Sequence, residues 1–420
     1  MRTHDDGNNE RADRSVPREQ EGGQRLVRRS TLLRAAGAVL AGGALAACGP
    51  DDKGKASGAA KDAAGKGASG KAGVKSQAEA AGGPPPPGGI QVKKMGDLTG
   101  PGITTDFEME ATDLGIPAVT PDGRTLFVFG DTYKEGGEGK PNVDPRNDWR
   151  APTGLYTDAK DLPALNAGIK WTDAVGPGRR AEQFLPYEHV GGKYTVLPSD
   201  VLTVGKTMYL QVMVNEPLMN VIRMEIWTSE DSGGTWKNTG VKFDPNLQRG
   251  LFQLWTWGLG SNGWVYIYST KFDRKNPVIL SRVHSSKILD PGSYEAWGFH
   301  DNQWKWGRHE ASPILDGQFG EMCLRPMGGK WLFTCFNAGA GAIEGRLVDT
   351  PDSNIKDAPA KTLISGGEWG HEDDAHVAQL YGGYVIPGST LQELHLSVSQ
   401  WRNPGGWPYH VMHHKVTGAF

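Results

Sequence analysis

Three carboxylates are the residues of this chain best suited to chemistry. Asp113 and Asp131 lie in Ala111-Thr-Asp-Leu-Gly115 and Val128-Phe-Gly-Asp-Thr-Tyr133, near the two open ends of one expected β-hairpin. Glu321 lies in Phe319-Gly-Glu-Met-Cys-Leu-Arg325. Two carboxyl groups flanking a sugar ring are what glycoside hydrolysis needs. One is kept neutral and protonates the leaving oxygen; the other activates water or attacks the anomeric carbon. Glu321 is expected to be the acid, and Asp113 or Asp131 the base or nucleophile, with the third carboxylate orienting it. Each could instead make only a turn or ladder contact, and Asp131, next to Thr132, could simply cap a turn. Asp200, Trp255, Asn337, His376, Gln400 and Trp401 are expected to bind substrate, the indoles by stacking on sugar rings.

The elements that must position these residues are strands. One unit recurs five times: a strand, a glycine-containing turn, then a strand rich in aromatic and β-branched residues. The second strands are 125–133, 208–214, 264–270, 331–336 and 393–401. Such hairpins, with further strands between them, suit repeated sheets of about four strands each and predict an all-β, five-bladed β-propeller. A pair of β-sandwich domains is the rival and does not explain five like hairpins. Ser229-Glu-Asp-Ser-Gly-Gly-Thr-Trp236 has the Asp-box pattern, a structural turn of propellers, so Asp231 is given no catalytic part. In a propeller the start of each first strand and the end of each second meet around the central channel. Asp113, Asp131, Asp200, Glu321, Asn337, His376, Gln400 and Trp401 occupy such positions, and no arginine does. A sialidase-like site needs several arginines and is disfavoured on that ground.

The N-terminal segment addresses the chain to the cell exterior. Arg28-Arg29, an apolar run and Leu45-Ala-Ala-Cys-Gly49 read as a twin-arginine export signal ending in a lipobox, with Cys48 as the lipidated residue. The expected organisation is a signal peptide at 1–47, an Ala/Gly/Lys/Pro-rich tether at 48–89 and a folded domain at 90–420. The protein is therefore expected outside the cytoplasmic membrane, anchored through Cys48 or released, and monomeric. The net charge of −3 gives no basic field for nucleic acid. Cys323 and Cys335 flank a hairpin turn; they either form a disulfide or stay as a free buried pair if the register is off by one. Gly370-His-Glu-Asp-Asp-Ala-His376 could offer oxygens to Ca²⁺ but reads better as a solvated loop. His413-His414 reads as surface strand, and no cofactor or metal is expected.

Several segments resemble one family. They are Gly96-Asp-Leu-Thr-Gly-Pro-Gly-Ile103, Ala111-Thr-Asp-Leu-Gly115, Val128-Phe-Gly-Asp-Thr-Tyr133, Phe319–Arg325 with Trp331–Asn337, and Tyr381-Gly-Gly-Tyr-Val-Ile-Pro387 with Leu396–Trp401. The chain from about residue 95 onward resembles secreted bacterial propeller glycoside hydrolases that cut D-arabinan internally, a family formerly known only as a domain of unknown function. The resemblance implies a substrate in the arabinan or arabinogalactan of mycobacterial-type envelopes. It also implies functional roles for Asp113, Asp131 and Glu321. Two segments depart from the family pattern: Thr104–Glu110 is more acidic, and the loop from Lys134 to Asn147 is unusual. A non-catalytic, surface-anchored carbohydrate-binding propeller is the alternative.

Overall fold

The computed structural model describes residues 89–189, 193–402 and 406–420. The twin-arginine pair, Cys48 and the tether up to residue 88 lie outside the described residues. The described chain is all-β, with one short α-helix at Leu162–Asn166 and a few single 3-10 turns.

The strands are β1 (Gln91–Asp97), β2 (Ala111–Val119), β3 (Thr125–Tyr133), β4 (Thr153–Thr157), β5 (Asp173–Ala174), β6 (Thr195–Val204), β7 (Thr207–Asn215), β8 (Val221–Ser229), β9 (Lys237–Phe243), β10 (Leu254–Leu259) and β11 (Trp264–Thr270). They continue as β12 (Asn276–His284), β13 (Glu295–His300), β14 (Gln303–Gly307), β15 (Leu315–Met327), β16 (Lys330–Asn337), β17 (Ala342–Val348), β18 (Lys361–Gly367), β19 (His376–Ala378), β20 (Leu380–Val385), β21 (Glu393–Arg402) and β22 (Gly406–Thr417).

Strands β2 to β5 form one antiparallel meander and β6 to β9 another. The meanders β10 to β14 and β15 to β18 are bridged where β12 meets β15. In the remaining sheet β20 pairs with β21, β21 with β22, and β22 in turn with β1. The last strand of the chain thus holds the first described one, in a register running from Gln91 opposite Thr417 to Asp97 opposite Met412. The leading strands contact one another in a closed cycle: β2 with β6, β6 with β10, β10 with β15, β15 with β20, and β20 with β2. All five hairpins expected from the sequence are present: β2–β3, β6–β7, β10–β11, β15–β16 and β20–β21.

Four of the five leading strands break register near the same place. The shifts fall at 112–116 on β2, 198–200 on β6, 319–322 on β15 and 382–384 on β20. A bulge re-aims the side chains beside it, so these irregularities set what the leading strands present where they converge.

Two expected substrate contacts are instead part of the framework. Asp200 has no exposed surface. Arg325 clamps it with two hydrogen bonds, 2.7 Å to Oδ1 and 2.9 Å to Oδ2. The Thr256 hydroxyl and the Trp257 amide donate to Oδ2, and the Val201 amide to Oδ1. With both oxygens saturated, Asp200 ties β6, β10 and β15 together and has nothing left for a ligand. Trp255 is fully buried against Phe243, Phe252 and Trp257. Its faces are spent on core packing, not on sugars.

The cysteines lie on opposed strands one residue out of step, Met322 facing Cys335 and Cys323 facing Thr334. Both are free and buried. The Asp-box turn forms as the pattern requires: Asp231 accepts from the Ser229 hydroxyl and the Thr235 amide and hydroxyl, and Trp236 packs inward.

His413 and His414 are not on the surface. Together with His410 they are buried on β22, and burial lowers His410 to about 4 and His413 and His414 to about 3. A folded state that keeps these rings neutral loses stability once the unfolded chain binds their protons. The loss therefore begins as pH falls through the ordinary histidine range near 6.5 and continues down to about 4–3, at roughly 1.4 kcal/mol per pH unit for each ring. Neither ring nitrogen of His414 has a partner, so His414→Leu is expected to reduce this pH slope. Urea unfolding at pH 7 and pH 5 measures the difference.

Candidate active site

The β2–β3 bulge builds the centre of the site. Thr112 opposes Thr132 and Leu114 opposes Phe129, leaving Asp113 opposite Gly130 and Asp131. The pairing is pinned by a Thr112–Thr132 hydroxyl contact of 2.8 Å and by the Ser399 hydroxyl accepting from the Leu114 amide. Leu114 takes a φ of 66°, a local strain of the kind that collects at functional sites. Gly130 is required because a Cβ there would run into Asp113 Oδ1. Two carboxylates are thereby held side by side on neighbouring strands.

Their surroundings differ. Asp113 Oδ2 accepts from the Tyr381 hydroxyl at 3.0 Å, and the nearby Tyr409 phenol also favours the ionised carboxyl. Oδ1 is shielded from solvent and has no partner. Burial, then the neighbouring Asp131 charge, then the charge of Glu321 raise Asp113 to about 8, against the pull of the two phenols. Burial also raises Asp131, but the Trp149 indole N–H at 2.8 Å and the nearby His189 hold it down. The two groups titrate as a pair. The arrangement favours one proton, carried by Asp113, beside an Asp131 carboxylate. Tyr133, Tyr381, Tyr384 and Tyr409 are pushed well above the usual phenol range by burial and so stay proton donors.

Glu321 joins from β15, whose bulge places Gly320 and Glu321 opposite Phe336. It is buried and ion-paired to Arg274 through Oε1 at 2.5 Å, while Oε2 has no partner. Arg274 comes from the loop after β11 with a φ of 59°, and its guanidinium lies over the Tyr381 and Phe336 rings. Gly320 makes room for it, since a Cβ there would sit 3.1 Å from both Arg274 and Phe336. The expectation that no arginine reaches this region is corrected by Arg274. Oε1 is thereby engaged by a cation, and Oε2 is the oxygen left for another partner.

The family follows once this geometry is set beside known sequences. Residues 99–415 match the family described as a domain of unknown function, DUF4185. The chain belongs to the DUF4185 family. It is 30% identical over 313 residues to "Notoamide biosynthesis cluster protein J'" of Aspergillus versicolor, covering 69% of this chain and 81% of that one. It is 27% identical over 343 residues to a 35.9 kDa protein of Mycolicibacterium smegmatis, covering 77% of this chain and 97% of that one. Among solved structures, a Bacteroides ovatus protein shares the fold with a TM-score of 0.54 at 14% identity, over 78% of this chain and 90% of that one.

The other expected contacts of this DUF4185 chain divide in two. Trp401 is partly exposed and packs with Trp149 and Trp407 around Tyr133 and Tyr409, so it belongs to the wall beside the aspartates. Gln400 is buried, donating to Glu372 and to the Ala378 carbonyl and accepting from His410. His376 is turned onto Asp373 at 2.9 Å, and Asn337 onto Glu344 and the Ala340 amide. The side-chain amides of Gln400 and Asn337 are engaged at both ends, and His376 is engaged through Nδ1. Sequence reading missed Arg274, Tyr381, Tyr409 and Trp149. Tyr381 stood inside a quoted motif, and Arg274 lies three residues past Lys271, which follows the second strand of its hairpin. Trp149 gave no signal, because it ends the long loop after β3.

Proposed function

We propose that this protein is a five-bladed propeller glycoside hydrolase that cleaves internal bonds of a furanose polysaccharide. The observation that carries the reading is the proton-sharing pair: Asp113, raised to about 8 and with Oδ1 unpartnered, beside Asp131. Asp113 delivers its proton to the leaving glycosidic oxygen. Asp131, fixed by Trp149, acts as the carboxylate toward the anomeric carbon or the attacking water. This exchanges the roles expected from sequence: Glu321, paired with Arg274, stabilises positive charge on the sugar and orients the pair. The partly exposed indoles of Trp401 and Trp407 offer stacking surface for sugar rings.

The substrate proposed is the D-arabinan of mycobacterial-type envelopes, on the motif resemblance of the segments around Asp113, Asp131 and Glu321. The protein would act outside the cytoplasmic membrane as a monomer, anchored through Cys48. The alternative, a non-catalytic lectin stacking glycans on Trp255, Trp257 and Trp401, is weakened by the full burial of the first two. Incubating the full-length protein with mycobacterial arabinogalactan, and separately with plant L-arabinan, tests the reading by chromatography of released oligosaccharides. A ladder from the first alone is expected, and its loss in Asp131→Asn with the fold retained. No product from either polymer would reject the proposal.

A further inference from the structure

His189 is buried behind the site and is not part of the hydrolytic scheme above. Both of its ring nitrogens face backbone carbonyl oxygens: Nδ1 lies 2.7 Å from Tyr194 O and Nε2 lies 3.1 Å from Ala151 O. A carbonyl oxygen only accepts. A neutral imidazole has one N–H and one lone pair, so it satisfies one of these contacts and sets lone pair against lone pair at the other. Only the ring with two N–H groups satisfies both. The same ring lies against the Trp149 indole, with centroids 4.7 Å apart and planes tilted by 30°. Trp149 also stacks near Tyr133 at 6.4 Å. The Trp149 N–H ends on Asp131 Oδ1.

We infer that His189 is a buried imidazolium whose role is to position and polarise Trp149, so that the indole N–H holds Asp131 as the carboxylate of the pair. This rests on the reading that Asp131 acts as the anion. A cation against the face of an indole is held by the ring quadrupole, and it draws electron density from the N–H that Asp131 accepts. The charged groups around His189 fit this role. Asp131 is the nearby carboxylate that responds to its charge. The guanidinium of Arg150, next to Ala151, is turned away onto the carbonyls of Ala181 and Glu108. His189 and Trp149 are therefore positioning residues; neither needs to touch the bond that breaks.

Two measurements on the full chain test this, and the first requires no turnover. In ¹⁵N-histidine-labelled protein at pH 7, the His189 signals are assigned by their disappearance in His189→Gln. Both ring nitrogens are expected to carry a proton; a single protonated nitrogen overturns the inference. The second measurement follows the Asp131 carboxyl by ¹³C NMR in Trp149→Phe, which keeps an aromatic ring and drops the N–H. The Asp131 titration is expected to move upward. On arabinogalactan kcat is expected to fall on the order of 10²-fold with KM little changed, the acidic limb of the pH profile moving up with it. An Asp131 titration unmoved by Trp149→Phe also overturns the inference. If the parent protein releases no oligosaccharide, the function proposed above fails, while both NMR results still decide the role of His189.

Discussion

Asp113→Asn is expected to end hydrolysis and, at pH 8, to make the protein more stable than its parent. The two effects have one cause. Burial and the adjacent Asp131 raise the Asp113 carboxyl to about 8, so the folded protein binds a proton there that the unfolded chain has released. Stability from this group is complete below the ordinary carboxyl range near 3.8 and is lost as pH rises toward 8. Asparagine keeps the shape and still accepts from Tyr381, but it has no charge to desolvate. The gain at pH 8 should be on the order of 2–4 kcal/mol, and the activity loss about 10²–10⁴-fold for a missing proton donor. Thermal unfolding at pH 5 and pH 8 separates the cases: the variant's advantage grows with pH. A variant no more stable than its parent at pH 8 would mean that Asp113 is an ordinary carboxylate.

The opposite outcome is expected for Asp200→Ala. Removing this carboxylate strands the Arg325 guanidinium and leaves the Thr256, Trp257 and Val201 donors without their acceptor. Breaking a buried ion pair from one side costs about 3–5 kcal/mol. Denaturant midpoints should fall accordingly, and Asp200→Leu with Arg325→Met should recover much of the loss, because an apolar pair leaves no buried charge unpaired. If Asp200→Ala keeps its midpoint and only weakens glycan binding, the framework role assigned here is wrong.

The contrast between Asp113 and Asp200 shows what the sequence could reveal. Hairpins were legible because alternating apolar residues and glycine turns are local: β3 runs from Thr125 to Tyr133 as its pattern predicts, and β11 from Trp264 to Thr270. The convergence of Asp113, Asp131 and Glu321 followed from the same periodicity. What separates a carboxylate with a free oxygen from a saturated one is its partners, and partners come from other sheets. Arg325 is far from Asp200 in sequence, as Tyr381 is from Asp113. His413 and His414 looked like surface polar residues because burial in the sheet that joins β1 to β21 depends on both neighbours. Arg274 was missed because a left-handed residue in a turn aims its side chain where strand alternation does not predict. The site chemistry lives in these cross-sheet contacts, which residue type and spacing along the chain do not encode.

The pairing of β1 with β22 also has a consequence for how the molecule is made. Synthesis runs from the N-terminus, so β1 is translated before every other strand described and its partner β22 after all of them. Until β22 has been made, β1 has no neighbour and β21 has one open edge. Each of the other four meanders can zip as its own strands appear. The Asp113 pocket cannot be finished early, because Tyr381, which donates to its carboxyl, and Tyr409, whose phenol is nearby, come from the late strands β20 and β22. A chain interrupted before β22 would therefore be assembled over most of its described length and still lack Tyr409 beside Asp113, so this pocket is completed only when the last described strand is in place.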